Sequence, residues 1–155
     1  MNPRLDDRQD EVRLYENALS QAGEVCSLHP GRTDLLISAL SRCGLPVGSR
    51  IFEVGCGCGS AVKKLDQQGY KAIGIDLSAL LLGEARRNLP EQRFIQANAA
   101  CMPLANGVVD GILMECSLSA IVDIPGSLAE FNRLLEKNGV LILTDLYVRD
   151  PSDLE

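Results

Sequence analysis

One stretch of the sequence decides the fold: Phe52-Glu53-Val54-Gly55-Cys56-Gly57-Cys58-Gly59. The apolar residues around it predict a buried strand over Arg50–Val54, and a helical pattern begins at Ser60. In a turn between a strand and a helix, Gly55 permits the tight bend, Gly57 lets a ligand approach the backbone, and Gly59 allows close packing where the helix begins. The stretch therefore predicts a βαβ unit and a parallel sheet.

The same alternation of short apolar runs and helical patterns extends along most of the chain. Further strands are predicted over Lys71–Asp76, Arg93–Gln96, Val109–Met114 and Val140–Leu146, and helices over Asp10–Ala22, Thr33–Cys43, Ser60–Gln68, Ser78–Leu89 and Pro125–Lys137. With right-handed crossovers these elements predict an α/β fold, a Rossmann-like three-layer sandwich whose mostly parallel sheet is ordered 3-2-1-4-5. A length of 155 residues suits one domain over 1–155, with a helical cap over 1–45 and the Rossmann-like core over 46–148.

Composition excludes several kinds of partner. Lys and Arg total 15 against 21 Asp and Glu, a net charge of -6, so no basic stripe is available for nucleic acid. No apolar run approaches the roughly 18 residues of a membrane span and no export signal is visible, so we expect a cytoplasmic protein without a membrane partner. In that compartment we expect reduced thiols at all the cysteines, which are Cys26, Cys43, Cys56, Cys58, Cys101 and Cys116. The lone Cys56-x-Cys58 pair does not complete a tetrahedral set, so no metal site is predicted.

Two carboxylates indicate which ligand the glycine turn binds. Asp76 closes the second predicted strand, where a carboxylate binds ribose hydroxyls, which favours an adenosine-type ligand. Glu53 would repel a pyrophosphate, and Ser60 stands where a dinucleotide motif has its third glycine, so a nicotinamide-dependent oxidoreductase is disfavoured. A cationic sulfonium would instead be attracted by Glu53. The alternative is that Glu53 is a partly buried carboxylate held by local backbone donors.

From Ile37 to Leu146 the sequence resembles the class I S-adenosylmethionine-dependent methyltransferases, in particular the small-molecule branch similar to the enzymes of ubiquinone and menaquinone biosynthesis. Ile51–Gly59 and Gly74–Ser78 resemble the family's first two motifs, and Ala97–Leu104 is similar to its Asp-Ala-x-x-Leu-Pro segment. The family's aspartate there accepts a hydrogen bond from the adenine amino group; Asn98 replaces it here, with an amide oxygen that can also accept. The resemblance implies S-adenosylmethionine as cofactor, held by Glu53, Gly55, Cys56, Gly57, Gly59, Asp76, Leu77, Asn98, Ala99 and Glu115.

The resemblance also implies a methyl transfer (EC 2.1.1.-) to a small-molecule acceptor, next to the end of the fourth strand. Glu115 is the candidate general base, and Cys116 either holds a soft acceptor or packs behind the cofactor. His29 and Tyr15 lie in the predicted cap, where a catalytic part competes with an ordinary surface or packing role. A catalytically silent S-adenosylmethionine-binding module, or a subunit that needs a partner, is the alternative function.

The family's sheet has two further strands, an antiparallel C-terminal hairpin that this chain ends before. Without it, the apolar strand over 140–144 would be an exposed edge that can pair with another chain. The sequence therefore predicts either a truncated form or a homodimer that associates through this edge.

Overall fold

The computed structural model describes residues 34–145, so the helix predicted over Asp10–Ala22 lies outside the described part of the chain. The described strands are β1 (Arg50–Val54), β2 (Lys71–Asp76), β3 (Arg93–Gln96), β4 (Val109–Glu115) and β5 (Leu135–Thr144). The described helices are α1 (Asp34–Cys43), α2 (Ser60–Gln67), α3 (Ala79–Asn88) and α4 (Ile124–Leu134), with a 3₁₀ turn over Leu118–Ala120. The strands form one parallel sheet in the order β3-β2-β1-β4-β5, which confirms the predicted topology.

Apolar side chains cover both faces of the sheet, as a doubly wound fold requires. Along β1, Ile51 belongs to the core cluster that contains residues of α1 and α2, whereas Phe52 and Val54 belong to the cluster that contains Phe131 of α4. Successive residues of a strand point to opposite faces, so Glu53 shares its face with Ile51. That face also meets the start of α2.

Local chemistry marks several helix ends, and it confirms the predicted end of α1 at Cys43. Gly44, with φ 67°, follows the last residue of α1 in a left-handed conformation that suits glycine. The hydroxyl of Ser78 caps α3 by accepting the backbone N–H of Leu81, and the carboxylate of Asp123 caps α4 by accepting that of Gly126. Local signals thus fix where these helices begin or end.

The boundary between α4 and β5 differs from the prediction. The helix predicted to reach Lys137 ends at Leu134, and the strand predicted from Val140 begins at Leu135. The Val108 N–H donates to the Leu134 carbonyl at 2.8 Å, and Leu135 pairs with Val109. The chain therefore begins to pair with the start of β4 as soon as the helix ends. A register shift between Val109 and Gly111 accommodates the extra strand residues.

An ionic cluster ties β1, β4 and β5 together at the end of the sheet where these strands begin. The guanidinium of Arg50 donates to both carboxylate oxygens of Asp110, at 2.8 and 3.2 Å, and to Glu136. The Arg50 guanidinium holds the pKa of the Asp110 carboxyl below its usual range. The sheet is thereby fastened at the end opposite to the glycine turn.

Candidate functional site

The glycine turn has the conformation that its sequence predicts. Gly55, Gly57 and Gly59 have φ values of 76, 52 and 83°, in the left-handed region that favours glycine. A Cβ on Gly55 would lie 2.4 Å from Cβ of Ser117, and one on Gly59 would lie 2.8 Å from the ring of Phe94. A Cβ on Gly57 would meet no described heavy atom within 4 Å. The outer glycines are needed for packing, whereas the middle one leaves its backbone open to a ligand.

Asp76 links the end of β2 to this turn. One carboxylate oxygen accepts the Gly57 N–H at 2.8 Å, and the other accepts the Ser78 N–H at 2.9 Å. The structure therefore places the predicted ribose-binding carboxylate directly beside the open part of the glycine turn.

Glu53 is a buried acid within reach of two other carboxylates. Its side chain is 2% exposed, and its Oε2 atom has no hydrogen-bond partner in the described part of the chain. Burial raises the pKa of Glu53 well above its ordinary value, the charges of Glu115 and Asp76 raise it further, and a hydrogen bond from the Val62 backbone N–H lowers it. The backbone bond agrees with the alternative interpretation of Glu53, but the orphaned oxygen lacks such a donor and suits a cationic group.

Strand register explains why these acids meet. Glu53 pairs with Leu113 across β1 and β4, and Glu115 is two residues further along β4, so it lies on the same face of the sheet. Gly74 of β2 pairs with Glu53, which puts Asp76 on that face as well. The three carboxylates therefore surround the end of β1 on the side where α2 begins.

Cys116 follows β4 in an unusual backbone conformation. Its φ of 51° makes it the one non-glycine residue between positions 34 and 145 with positive φ, and its N–H donates to the Thr144 carbonyl at 2.8 Å. Burial, Asp145 and Glu115 together raise the pKa of the Cys116 thiol, so the neutral thiol is favoured over the thiolate. A role as a charged nucleophile does not fit this environment.

The cysteines of the glycine turn have different states. Cys56 is buried against β2, and burial raises the pKa of its thiol. The expectation of reduced thiols throughout is wrong at Cys58, which is disulfide-bonded, whereas Cys43, Cys56, Cys101 and Cys116 are free. A disulfide depends on two side chains meeting in space, which the spacing of cysteines along the chain does not reveal. Within residues 34–145, no three His, Cys, Asp or Glu side chains are grouped as metal ligands would be.

The remaining predicted contacts lie at the ends of β2 and β3. Leu77 is 47% exposed next to Asp76, which leaves an apolar surface beside the predicted ribose-binding carboxylate. Asn98 is exposed on the loop after β3, and Ala99 packs partly against the core. His29 and Tyr15 lie outside the described residues.

Two features of the site were not predicted. The hydroxyl of Ser117 donates to the Val54 carbonyl at 2.8 Å and so fastens the end of β1 to the segment after β4. Arg133 and Glu130 hold the loop after Asn98: Arg133 donates to the Leu104 carbonyl at 2.8 Å, and Glu130 accepts the Met102 N–H at 2.7 Å. The i,i+3 spacing of Glu130 and Arg133 signals their pairing on one helix face, but not the loop that they hold.

Fold and site together define an α/β domain built to bind an adenosine-type cofactor. Residues 52–143 match the methyltransferase domain family, and the chain belongs to that family, within the class I S-adenosylmethionine-dependent methyltransferases. S-adenosylmethionine is the cofactor that family and fold imply. The orphaned Glu53 oxygen and the open backbone at Gly57 fit this cationic ligand.

Curated relatives cover the same core. The chain is 30% identical over 98 residues to a malonyl-[acyl-carrier protein] O-methyltransferase of Enterobacter lignolyticus, covering 63% of this chain and 39% of that protein. It is 27% identical over 108 residues to the ubiquinone/menaquinone biosynthesis C-methyltransferase UbiE of Campylobacter jejuni, covering 65% and 46%. The chain therefore spans about half the length of the curated relatives that it matches, or less.

Solved structures show the same fold at low sequence identity. The MccD protein aligns with a TM-score of 0.72 at 20% identity, over 80% of this chain and 57% of that one. The [4+2]-cyclase SpnF aligns with a TM-score of 0.71 at 22% identity, over 88% and 57%. Since a cyclase is among these structures, the fold alone does not identify the reaction. Across residues 34–145 there is no helix long and apolar enough to cross a membrane.

Proposed function

We propose that this chain binds S-adenosylmethionine at the carboxyl ends of its strands and transfers the methyl group to a small-molecule acceptor. The observation that carries the proposal is the junction of Asp76 with the glycine turn, where the carboxylate is held 2.8 Å from the Gly57 nitrogen next to open backbone. The names of the relatives, an O-methyltransferase and a quinone C-methyltransferase, support a metabolite as acceptor without specifying the acceptor atom.

Each part of the cofactor has a proposed place. Asp76 accepts the ribose hydroxyls, Leu77 covers one side of the base, and Asn98 with Ala99 lies along its edge. The turn from Gly55 through Gly59 contributes backbone: the N–H of Cys56 donates to the Ile75 carbonyl and its carbonyl accepts the Gly59 N–H, so Cys56 fixes the shape of the turn.

The carboxylates supply the electrostatics. When bound, S-adenosylmethionine supplies an electrophilic methyl group on a cationic sulfur. Burial favours the neutral form of Glu53, and a bound cation beside its orphaned oxygen shifts it toward the ionised form in a setting where water screens little. A bound cation relieves the repulsion among these acids.

The proposed catalytic groups lie after β4. We assign Glu115, which is 5% exposed, as the general base for an acceptor that must lose a proton, and Cys116 as a neutral thiol in contact with the acceptor. Glu115→Gln should lower kcat by about a hundredfold or more. Cys116→Ser, which keeps the size, should change kcat by less than about threefold; a hundredfold loss would instead assign chemistry to the thiol.

Calorimetric titration tests the cofactor assignment. Wild type is titrated with S-adenosylmethionine, S-adenosylhomocysteine and NAD, alongside Asp76→Asn, Asp76→Ala and the control Asp66→Ala on the exposed surface of α2. The first two ligands should bind, and both Asp76 variants should weaken them while the control does not. A variant that keeps its affinity at position 76, or binding of NAD alone, would contradict the proposal. Binding without turnover in an acceptor screen would favour the silent-module alternative.

Association through β5 is a further part of the proposal. In the described sheet β5 has β4 as its one neighbour, and Leu143 on this edge strand is 41% exposed. Sedimentation velocity over a range of concentrations should show dimers that Leu143→Lys reduces. A monomer at every concentration would contradict this part and leave the cofactor site unaffected.

A cytoplasmic location completes the proposal. It is supported by the four free cysteines among the five that the structure describes, since oxidising compartments favour disulfides, although the disulfide at Cys58 points the other way. Fractionation of cells that express the tagged chain should recover it with cytoplasmic markers, and recovery with an exported fraction would refute the assignment.

A further inference from the structure

The loop after β3 carries the base-recognition residue of the proposed cofactor site. Asp76 and Gln96 are partners across β2 and β3, and the Ala97 N–H donates to the Asp76 carbonyl at 3.0 Å. Asn98 therefore leaves the sheet immediately beside the carboxylate assigned to the ribose, and its side chain is exposed there. We therefore expect a base attached to that ribose to come within reach of the Asn98 amide.

The orientation of this amide is fixed by its own loop. Its Oδ1 atom accepts the Ala100 N–H at 2.9 Å, while the Asn98 carbonyl accepts the Cys101 N–H at 3.0 Å. An N–H can donate only to the amide oxygen, so Nδ2 must be on the other side of the amide, away from the Ala100 nitrogen.

The loop that carries the Ala100 N–H is itself held by α4. Glu130 accepts the Met102 N–H at 2.7 Å, and Arg133 donates to the Met102 and Leu104 carbonyls at 3.3 and 2.8 Å. These contacts from α4 hold the segment after Asn98 on both its donor and its acceptor side. The Ala100 N–H, which orients the amide, therefore belongs to a loop that α4 holds in place.

Once one oxygen accepts the Ala100 N–H, an amide and a carboxylate differ in the atom that remains available to a base. A carboxylate in this position, with one oxygen on the Ala100 N–H, would still present an acceptor to the exocyclic amino group of adenine. Asn98 presents the Nδ2 donor there, and a donor cannot bond the amino hydrogens; its one acceptor atom, Oδ1, already accepts the Ala100 N–H. Adenine does carry an acceptor next to its amino group, the ring nitrogen N1.

We propose that Asn98 donates from Nδ2 to N1 of the cofactor's purine ring, so that the exocyclic amino group contributes little to binding. This inference rests on the proposed function, because it concerns the same cofactor site. It makes Asn98 a specificity-determining residue: it donates a hydrogen bond to the base, whereas an aspartate in its place would accept one.

The test compares wild type with Asn98→Asp, which keeps an oxygen for the Ala100 N–H and so preserves the turn. Three ligands are titrated by calorimetry: S-adenosylhomocysteine, its analogue without the 6-amino group, and its 1-deaza analogue, in which N1 is replaced by CH. Wild type should bind the desamino analogue within about threefold of S-adenosylhomocysteine and the 1-deaza analogue about fivefold more weakly. Asn98→Asp should reverse the pattern, with a preference of about tenfold for the aminated ligand and little response to the 1-deaza change.

Asn132→Asp, on the exposed surface of α4, is the control for the added charge and should keep the wild-type pattern. Circular dichroism and thermal melting verify that the variants fold, and the wild-type comparison of the three ligands stands even if Asn98→Asp does not fold. A tenfold wild-type preference for the aminated ligand, or the same pattern in both proteins, would overturn the inference alone. Failure of wild type to bind S-adenosylhomocysteine would overturn the proposed function and the inference with it.

Discussion

Substitution of Gly55 by alanine tests the packing of the glycine turn. At φ 76° any residue with a Cβ is strained by about 1–2 kcal/mol, and the new Cβ would lie 2.4 Å from that of Ser117, which adds an overpacking cost of about 1–3 kcal/mol. Gly55→Ala should therefore lower the free energy of unfolding by roughly 2–5 kcal/mol. Urea denaturation followed by circular dichroism measures this value.

Two other glycines separate the two contributions. Gly107 has φ 60° but no described heavy atom within 4 Å of a built Cβ, so Gly107→Ala should cost only the backbone strain, about 1–2 kcal/mol. Gly83 lies in α3 with the same open space, and Gly83→Ala should stabilise by about 0.5–1 kcal/mol. Adding Ser117→Gly to Gly55→Ala should restore the overpacking part, as a double-mutant cycle measures. A cost at Gly55 no larger than at Gly107, or no rescue by Ser117→Gly, would refute the steric argument.

Further predictions concern the titratable groups. The folded protein raises the pKa of Glu53 above its unfolded value, so the folded state loses relative stability as pH rises above the unfolded pKa. Glu53→Gln should remove this slope, so that the variant gains stability relative to wild type as pH rises. The same substitution should weaken the binding of S-adenosylmethionine more than that of S-adenosylhomocysteine, whose sulfur is neutral. Equal slopes in the two proteins would contradict this. A hydrogen bond from Arg133 lowers the pKa of Glu130 to about 2. The stability that Glu130 contributes is therefore present above its unfolded pKa of about 4.5 and is lost as pH falls from there to 2. Glu130→Gln should make the free energy of unfolding less dependent on pH over that range. Arg133→Ala should weaken cofactor binding about tenfold. The control Arg87→Ala removes an exposed ion pair with Glu84 and should change neither binding nor stability by more than about 0.5 kcal/mol. Equal cofactor affinities in the two variants would argue that Arg133 does not hold the loop.

The sequence predicted strand bounds well where a glycine or another turn residue directly follows an apolar run. The predicted bounds of β1, β2 and β3 agree with the structure to the residue, because glycines and apolar runs mark their ends. The α4–β5 junction was mispredicted because Asn138 and Gly139 resemble a helix end, while the pairing that starts β5 at Leu135 depends on β4, which is distant in the sequence.

The site shows the same division. The presence of Glu53 and Asp76 beside the glycine turn followed from motif spacing. Their mutual repulsion, the Ser117 bond to Val54 and the disulfide at Cys58 did not, because each needs a contact between segments whose separation no periodicity records. The polarity of Asn98 was also hidden, since it depends on which amide atom faces the Ala100 N–H.

The contact between Gly55 and Ser117 has a consequence for how such a chain can evolve. The side chain of Ser117 fills the space that a Cβ on Gly55 would need. Whether a substitution at position 55 is tolerated therefore depends on the residue at position 117. Ser117 also bonds the carbonyl just before Gly55, so a smaller residue there relieves crowding but forfeits an anchor. Drift at this junction should therefore proceed by paired substitutions, and homologues should show the two positions covarying even though they are far apart in the sequence.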